Sequence, residues 1–250
     1  MQFFSYLING ISLGSVYALI ALGYTMVYGI AKMLNFAHGD VIMIGSYVVY
    51  FAFGASGLNP VLSIVLSMIV CTILGVVIER LAYRPLREAP SLAVLITAIG
   101  VSYLLQQVAQ LSWSSNPKSF TSVVSGMKPV SLFGGQLTIS AETIVTIVAC
   151  VVIMVVLMWF VNYTPAGHAM LAVSEDRGAA QLMGVNVNGT ISLTFAIGSA
   201  LAAVAGALLC SSYPTLQPTT GSMPGIKAFV AAVFGGIGSI PGAFVGGILL

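Results

Sequence analysis

The sequence predicts an all-α protein, a polytopic transmembrane helical bundle in which some helices are interrupted. Three observations predict it. Of 250 residues, 58% are hydrophobic and only 6% are charged, whereas a soluble domain carries about a quarter charged residues to wet its surface. Mean hydropathy is +1.06. Charge is absent from Met1–Ala31, Ser91–Pro117, Thr143–Gly167 and Gly178–Ile226, and such runs reach the roughly 20 residues needed to cross about 30 Å of hydrocarbon. Without water, backbone groups must bond within each run, so the runs are helices or broken helices.

Seven apolar segments follow in order. Tyr6–Ile30 has no basic residue before it and is too long for a signal core, so it is a retained span. Val41–Ser56 is short, and its helix is expected to begin before Val41. Val61–Ile78, Leu92–Ser112, Thr143–Asn162 and Gly189–Tyr213 each read as one span, and Ile226–Leu250 as a split one. The whole of 1–250 is then a single transmembrane domain with a polar connection at 163–188. The chain stops at Gly246-Gly247-Ile248-Leu249-Leu250, inside an apolar run, and reads as a fragment lacking its last span.

Arg80, Arg84 and Arg87 cluster between the third and fourth segments, which the positive-inside rule assigns to the cytoplasm. Alternation puts Lys32 and the connection with His168 and Arg177 on the same side. The N-terminus and the Asn116–Ala141 connection, with Lys118 and Lys128, are expected outside, in a multi-pass protein of the cytoplasmic membrane. Small residues recur at four-residue spacing: Gly10 and Gly14; Gly198, Ala202 and Gly206; Gly242 and Gly246. In lipid this spacing lets helix backbones approach closely.

Two segments contain material that a plain span avoids. Asn35-Phe36-Ala37-His38-Gly39-Asp40 leads directly into Val41, and Gly235-Gly236-Ile237-Gly238-Ser239-Ile240-Pro241-Gly242 divides the last segment into pieces of about half a membrane thickness. Paired interruptions in the two halves of a transporter point to its substrate path. Asn35, His38, Gly39, Asp40, Gly235, Gly236 and Gly238 are therefore candidates for that path. A cytoplasmic turn with Asp40 as a helix cap is the plain alternative for the first stretch, and a packing kink for the second. One His and one Asp are too few ligands for a metal site.

Between Tyr163 and Asn188 the chain reads as a short amphipathic helix ending at a Gly184 turn. Ala169, Ala172, Val173, Ala180 and Met183 fall roughly on one stripe, with Glu175 and Asp176 elsewhere. Such a helix suits a groove on a partner, or lies passively on the bilayer surface.

Other classes fit poorly. A formal charge of +2 and the lack of a basic stretch interleaved with aromatics give no nucleic-acid partner. Cys71, Cys150 and Cys210 lie in apolar runs without metal-ligand spacing and read as reduced packing residues. No cofactor motif occurs. Gly54-Ala55-Ser56-Gly57 fits a serine-protease pattern, but Ser56 is expected on the side opposite His38 and His168, out of reach of a base. Asn59-Pro60 and Asn116-Pro117 lack the alanine of water-channel motifs. No Gly-x-x-x-x-Gly-Lys-Ser/Thr phosphate loop is present, so no ATP hydrolysis is assigned to this chain and no catalytic residue is named.

Asn9-Gly10-Ile11 to Tyr17-Ala18-Leu19, Leu34 to Asp40, Gly167 to Gly184 and Ala228 to Gly247 together resemble the permease subunits of branched-chain amino-acid ABC importers, the LivH type, over essentially the whole chain. The resemblance implies translocation of branched-chain or similar amino acids across the cytoplasmic membrane. It also implies a second permease subunit, two cytoplasmic ATPase subunits and an extracytoplasmic substrate-binding protein as partners, besides membrane lipid. The 163–188 loop would then be the coupling loop, with Gly167, Ala169, Ala172, Glu175, Asp176, Ala180 and Gly184 as its ATPase-facing candidates. The alternative is an ion-coupled secondary transporter of a small solute, with His38 and Asp40 as the coupling site.

Overall fold

A computed structural model describes residues 2–127, 129–132 and 137–250, and among these described residues the chain forms ten α-helices. Lys128, expected in an outer connection, lies outside the described residues. Five helices are long and apolar enough to cross a bilayer. They are α1 (Gln2–Ala31), α3 (Pro60–Ile78, prolonged by π and 3-10 turns to Leu86), α4 (Ser91–Trp113), α5 (Ala141–Tyr163) and α8 (Val187–Ser212). Between them come α2 (His38–Val49, with a π-helical extension to Ala55), α6 (Pro165–Glu175) and α7 (Arg177–Leu182), and after them α9 (Ser222–Phe234) and α10 (Ile240–Leu249).

Burial separates the helices into a centre and a rim. In the most apolar window, 83% of α1 and 72% of α8 is buried, against 28% of α3, 17% of α4 and 22% of α5. The small-residue spacing explains the centre: α1 and α8 run antiparallel and cross at Gly23 and Gly198, where a Cβ added to either would sit 3.3 Å from the other's carbonyl oxygen. Gly206 likewise lies against Ile42 and Ser46 of α2, and Gly14 against Ile248 of α10, whereas Gly10 meets nothing within 4 Å.

The second apolar segment begins at His38, three residues before Val41, as expected. Its start is buried inside the bundle. After α1 ends at Ala31 the link turns back, and His38 packs beside Gly23 and Tyr24, about 12 Å of helix before the end of α1. The cytoplasmic-turn alternative therefore fails, and Asp40 is no cap, since it lies within the first turn of α2, whose N-cap position is Ala37 and carries no side-chain cap bond. The second half repeats the motif in the opposite direction. After α8 ends at Ser212, an extended link with Pro214 and Pro218 leads back to the Gly221 start of α9. Strands β1 (Lys118–Ser119) and β4 (Thr215–Leu216) pin that link to the α4–α5 connection, which also carries the antiparallel pair β2 (Val130–Leu132) and β3 (Leu137–Ile139).

Two expectations need correction. Gly235–Gly242 does not interrupt a continuing span. It is the tight turn of an antiparallel α9–α10 hairpin, in which Gly235 and Gly242 touch backbone to backbone, Gly236 and Gly238 take φ +86° and +98°, and Ser239 caps α10. The 163–188 connection is two helices rather than one. The chain is extended at Asp176 (φ −149°, ψ 115°), whose carboxylate caps α7 through the Gly178 and Ala179 N–H groups. A single helical wheel thus does not run through both, and the expected stripe divides: Val173 and Ala180 are buried while Ala172 and Met183 are exposed.

Candidate functional site

The two re-entrant links bring the N-terminal ends of α2 and α9 together in the middle of the bundle. A Cβ added to Gly39 would lie 2.6 Å from the Gly221 carbonyl oxygen, and one on Gly225 3.0 Å from the Gly39 Cα. Only glycine permits this approach. Asp40, 1% exposed, accepts a hydrogen bond from Gln106 Nε2 of α4 at 2.9 Å. The same amide nitrogen lies 3.2 Å from Ser222 Oγ at the start of α9 and 3.3 Å from Ser102 Oγ. One glutamine therefore ties both half-depth helices to a rim helix. Asn35 accepts a bond from the buried Tyr83 hydroxyl at 2.9 Å, which anchors the link to the end of α3. His38 packs against Tyr24 with ring centroids 4.7 Å apart and the planes tilted by 59°, and its Nε2 has no hydrogen-bond partner.

Asn35, His38, Gly39 and Asp40 are thus assembled as one cluster. Gly235, Gly236 and Gly238 lie elsewhere, at the far end of α9 beside Gly29 of α1. The partner of the first interruption is the Gly221-Ser222 stretch, which sequence reasoning missed along with Gln106. Its signal was present in Pro214, Pro218, Gly221 and Pro224, a turn-rich stretch just before an apolar run. His38 and Asp40 have different partners and different surroundings.

One end of the bundle collects the basic residues that the sequence assigned to one side. Arg87 pairs with the fully buried Glu79 and also donates to Asn188, while Ser192 donates to the other Glu79 oxygen at 2.7 Å. The end of α3 is thereby clasped to the start of α8. Arg177 donates to the Ala31 carbonyl at the C-terminus of α1, where a cation also meets the negative end of the helix dipole. Burial first, and then the neighbouring Arg87, push the Arg177 guanidinium below its ordinary pKa.

The α6–α7 pair lies at this end. Gly167 is buried because a Cβ there would strike the Phe160 and Val161 carbonyls; Met170, Val173 and Ala180 continue the face turned to the bundle. Ala169 is half-buried, while Ala172, Glu175, Asp176 and Gly184 are exposed, the last at φ +84°. Leu182 and Met183 are 90% and 85% exposed, and of these the sequence reading singled out only Met183.

Comparisons with known proteins converge. The family model described as branched-chain amino acid transport system / permease component matches residues 6–250. The chain is 46% identical to the high-affinity branched-chain amino acid transport system permease protein BraD of Pseudomonas aeruginosa, over 98% of this chain and 82% of that protein. To LivH of Salmonella typhimurium, named likewise, it is 43% identical over 100% of this chain and 84% of the relative. A probable branched-chain amino acid transport permease of Methanocaldococcus jannaschii is 31% identical, covering 93% and 74%. No solved structure matches the chain.

Proposed function

The chain belongs to the branched-chain amino acid transport permease family, and from that premise we propose that it carries branched-chain or similar amino acids through the membrane as the spanning subunit of an ATP-driven importer. Its partners on this reading are a second permease subunit, two cytoplasmic ATPases that perform the hydrolysis, and an extracytoplasmic binding protein. This chain is then a non-catalytic subunit. The end with Arg80, Arg84, Arg87 and Arg177 faces the cytoplasm, and the start of α1 faces outside.

The observation that carries the path is the meeting of α2 and α9 at Gly39 and Gly221. Two helix N-termini meeting inside a bundle bring their positive dipole ends together there, the arrangement by which transporters build a substrate path from helices that stop at mid-membrane. Asn35, His38, Gly39 and Asp40 shape this point. Gly235, Gly236 and Gly238 form the turn by which the α9–α10 hairpin can respond at the cytoplasmic end. Ala169, Ala172, Glu175, Asp176 and Gly184, together with exposed Leu182 and Met183, offer the ATPase its docking surface, and buried Gly167 and Ala180 seat that surface on the bundle. The test is uptake of radiolabelled leucine by the assembled importer carrying Gly39→Leu. Loss of uptake with normal membrane insertion is expected, and wild-type uptake would remove the α2–α9 junction from the path.

A further inference from the structure

We propose that the Lys227 ammonium receives the substrate's carboxylate at mid-depth of the membrane, an assignment that rests on the permease reading above. Lys227 is exposed on α9, with Nζ 3.4 Å from the Tyr17 hydroxyl and 5.4 Å from the centre of that ring. Tyr17 sits at the middle of α1, with about 21 Å of helix on either side. The ammonium is therefore too deep to reach a headgroup by extending its side chain, and a lysine facing acyl chains at that depth is strongly disfavoured. The surface it faces is wet.

The face of α4 that meets the start of α9 agrees. Tyr103, Gln107 and Gln110 of α4 are exposed at helical spacing on the face shared by Gln106, which bonds Ser222 of α9. A stripe of amides does not belong against hydrocarbon.

No acid of this chain can be the counter-charge. The sequence has six. Glu79 is buried against Arg87, while Glu88, Glu175 and Asp176 lie at the basic end. Glu142 bonds Ser122 at the opposite end. Asp40 alone lies deep in the bundle, and it is buried on Gln106. A second copy of this chain therefore brings no free carboxylate to Lys227, but an amino acid in transit does. Met223 and Ile226, exposed beside it on α9, offer an apolar surface for a branched aliphatic side chain.

The experiment uses the assembled importer in proteoliposomes. Lys227→Cys, in a background without Cys71, Cys150 and Cys210, should react with a membrane-impermeant sulfonate thiol reagent during ATP turnover. Lys227→Met should lower the maximal rate of leucine uptake about tenfold or more, as loss of a charge-assisted hydrogen bond does, with the amount of assembled complex checked by co-purification. Lys227→Arg keeps the charge and should retain most of the rate. A cysteine at this site that stays unreactive, or Lys227→Met import at the wild-type rate, overturns the proposal alone. A wild-type complex that imports no branched-chain amino acid overturns the permease reading, and the proposal with it.

Discussion

At Gly39 the two halves of the chain touch, and the cost of a single methyl group can be argued directly. Gly39→Ala forces its Cβ to 2.6 Å from the backbone oxygen of Gly221, so α9 must move. Overpacking of this kind costs about 1–3 kcal/mol. Gly10→Ala, in α1 with nothing within 4 Å, should instead be neutral or gain up to about 1 kcal/mol from helix propensity. Thermal unfolding of the purified chain in detergent should therefore shift down for the first and not for the second. Equal shifts would show that the α2–α9 contact has room for a methyl group. Glu79 offers a second test, because Glu79→Ala leaves the mostly buried Arg87 without its counter-charge. The expected loss is about 3–5 kcal/mol, and the double variant with Arg87→Leu should recover part of it. A double variant no more stable than Glu79→Ala would contradict the clasp.

At the scale of elements, α6 and α7 show why a helical wheel alone misassigns a docking surface. Both have one buried face and one exposed face, but the break at Asp176 resets the register between them. Ala180 consequently packs inward while Leu182 and Met183, two and three residues later, point out. Leu182→Asp should leave the chain folded and weaken ATPase attachment, since an unpaired charge buried at an interface costs several kcal/mol, roughly a hundredfold or more in affinity. Ala172→Arg, also at an exposed position, should behave the same way. Ala180→Arg should instead destabilise the chain itself. Co-purification of the ATPase, read beside the unfolding temperature of each variant, separates the two effects. An ATPase retained by Leu182→Asp and by Ala172→Arg would reduce the loop to a linker.

Over the whole molecule, the link into α2 and the link into α9 enter the bundle from opposite ends. This arrangement follows from α1 and α8 being antiparallel and each followed by a returning link. The orientation of the assembly in the membrane is a prediction of charge. In a background without native cysteines, Glu88→Cys, in the exposed loop after Arg87, should react only with thiol reagents that reach the cytoplasm, and Ser56→Cys, exposed after α2, from outside. Reaction of Glu88→Cys from outside would reverse the orientation and separate α6–α7 from any cytoplasmic ATPase.

The class of the protein, its run of helices and the common end of its arginines were legible in the sequence, because a bilayer imposes its demands locally. Span length, absence of charge and small-residue spacing are each readable within a short stretch, and the described helices follow them. The Asn35–Asp40 break was legible for the same reason: a polar run next to an apolar one stands out. Its partner was not. Gly235–Gly242 had the stronger glycine pattern, yet glycines at φ +86° and +98° make a hairpin turn, while the quieter Gly221 is the one that meets Gly39. Gln106 and Ser222 were equally silent, since each looks ordinary within its own helix. What joins Asp40, Gln106 and Ser222 is the packing of three helices distant in the chain, α2, α4 and α9, and only the tertiary structure decides which buried polar groups satisfy one another.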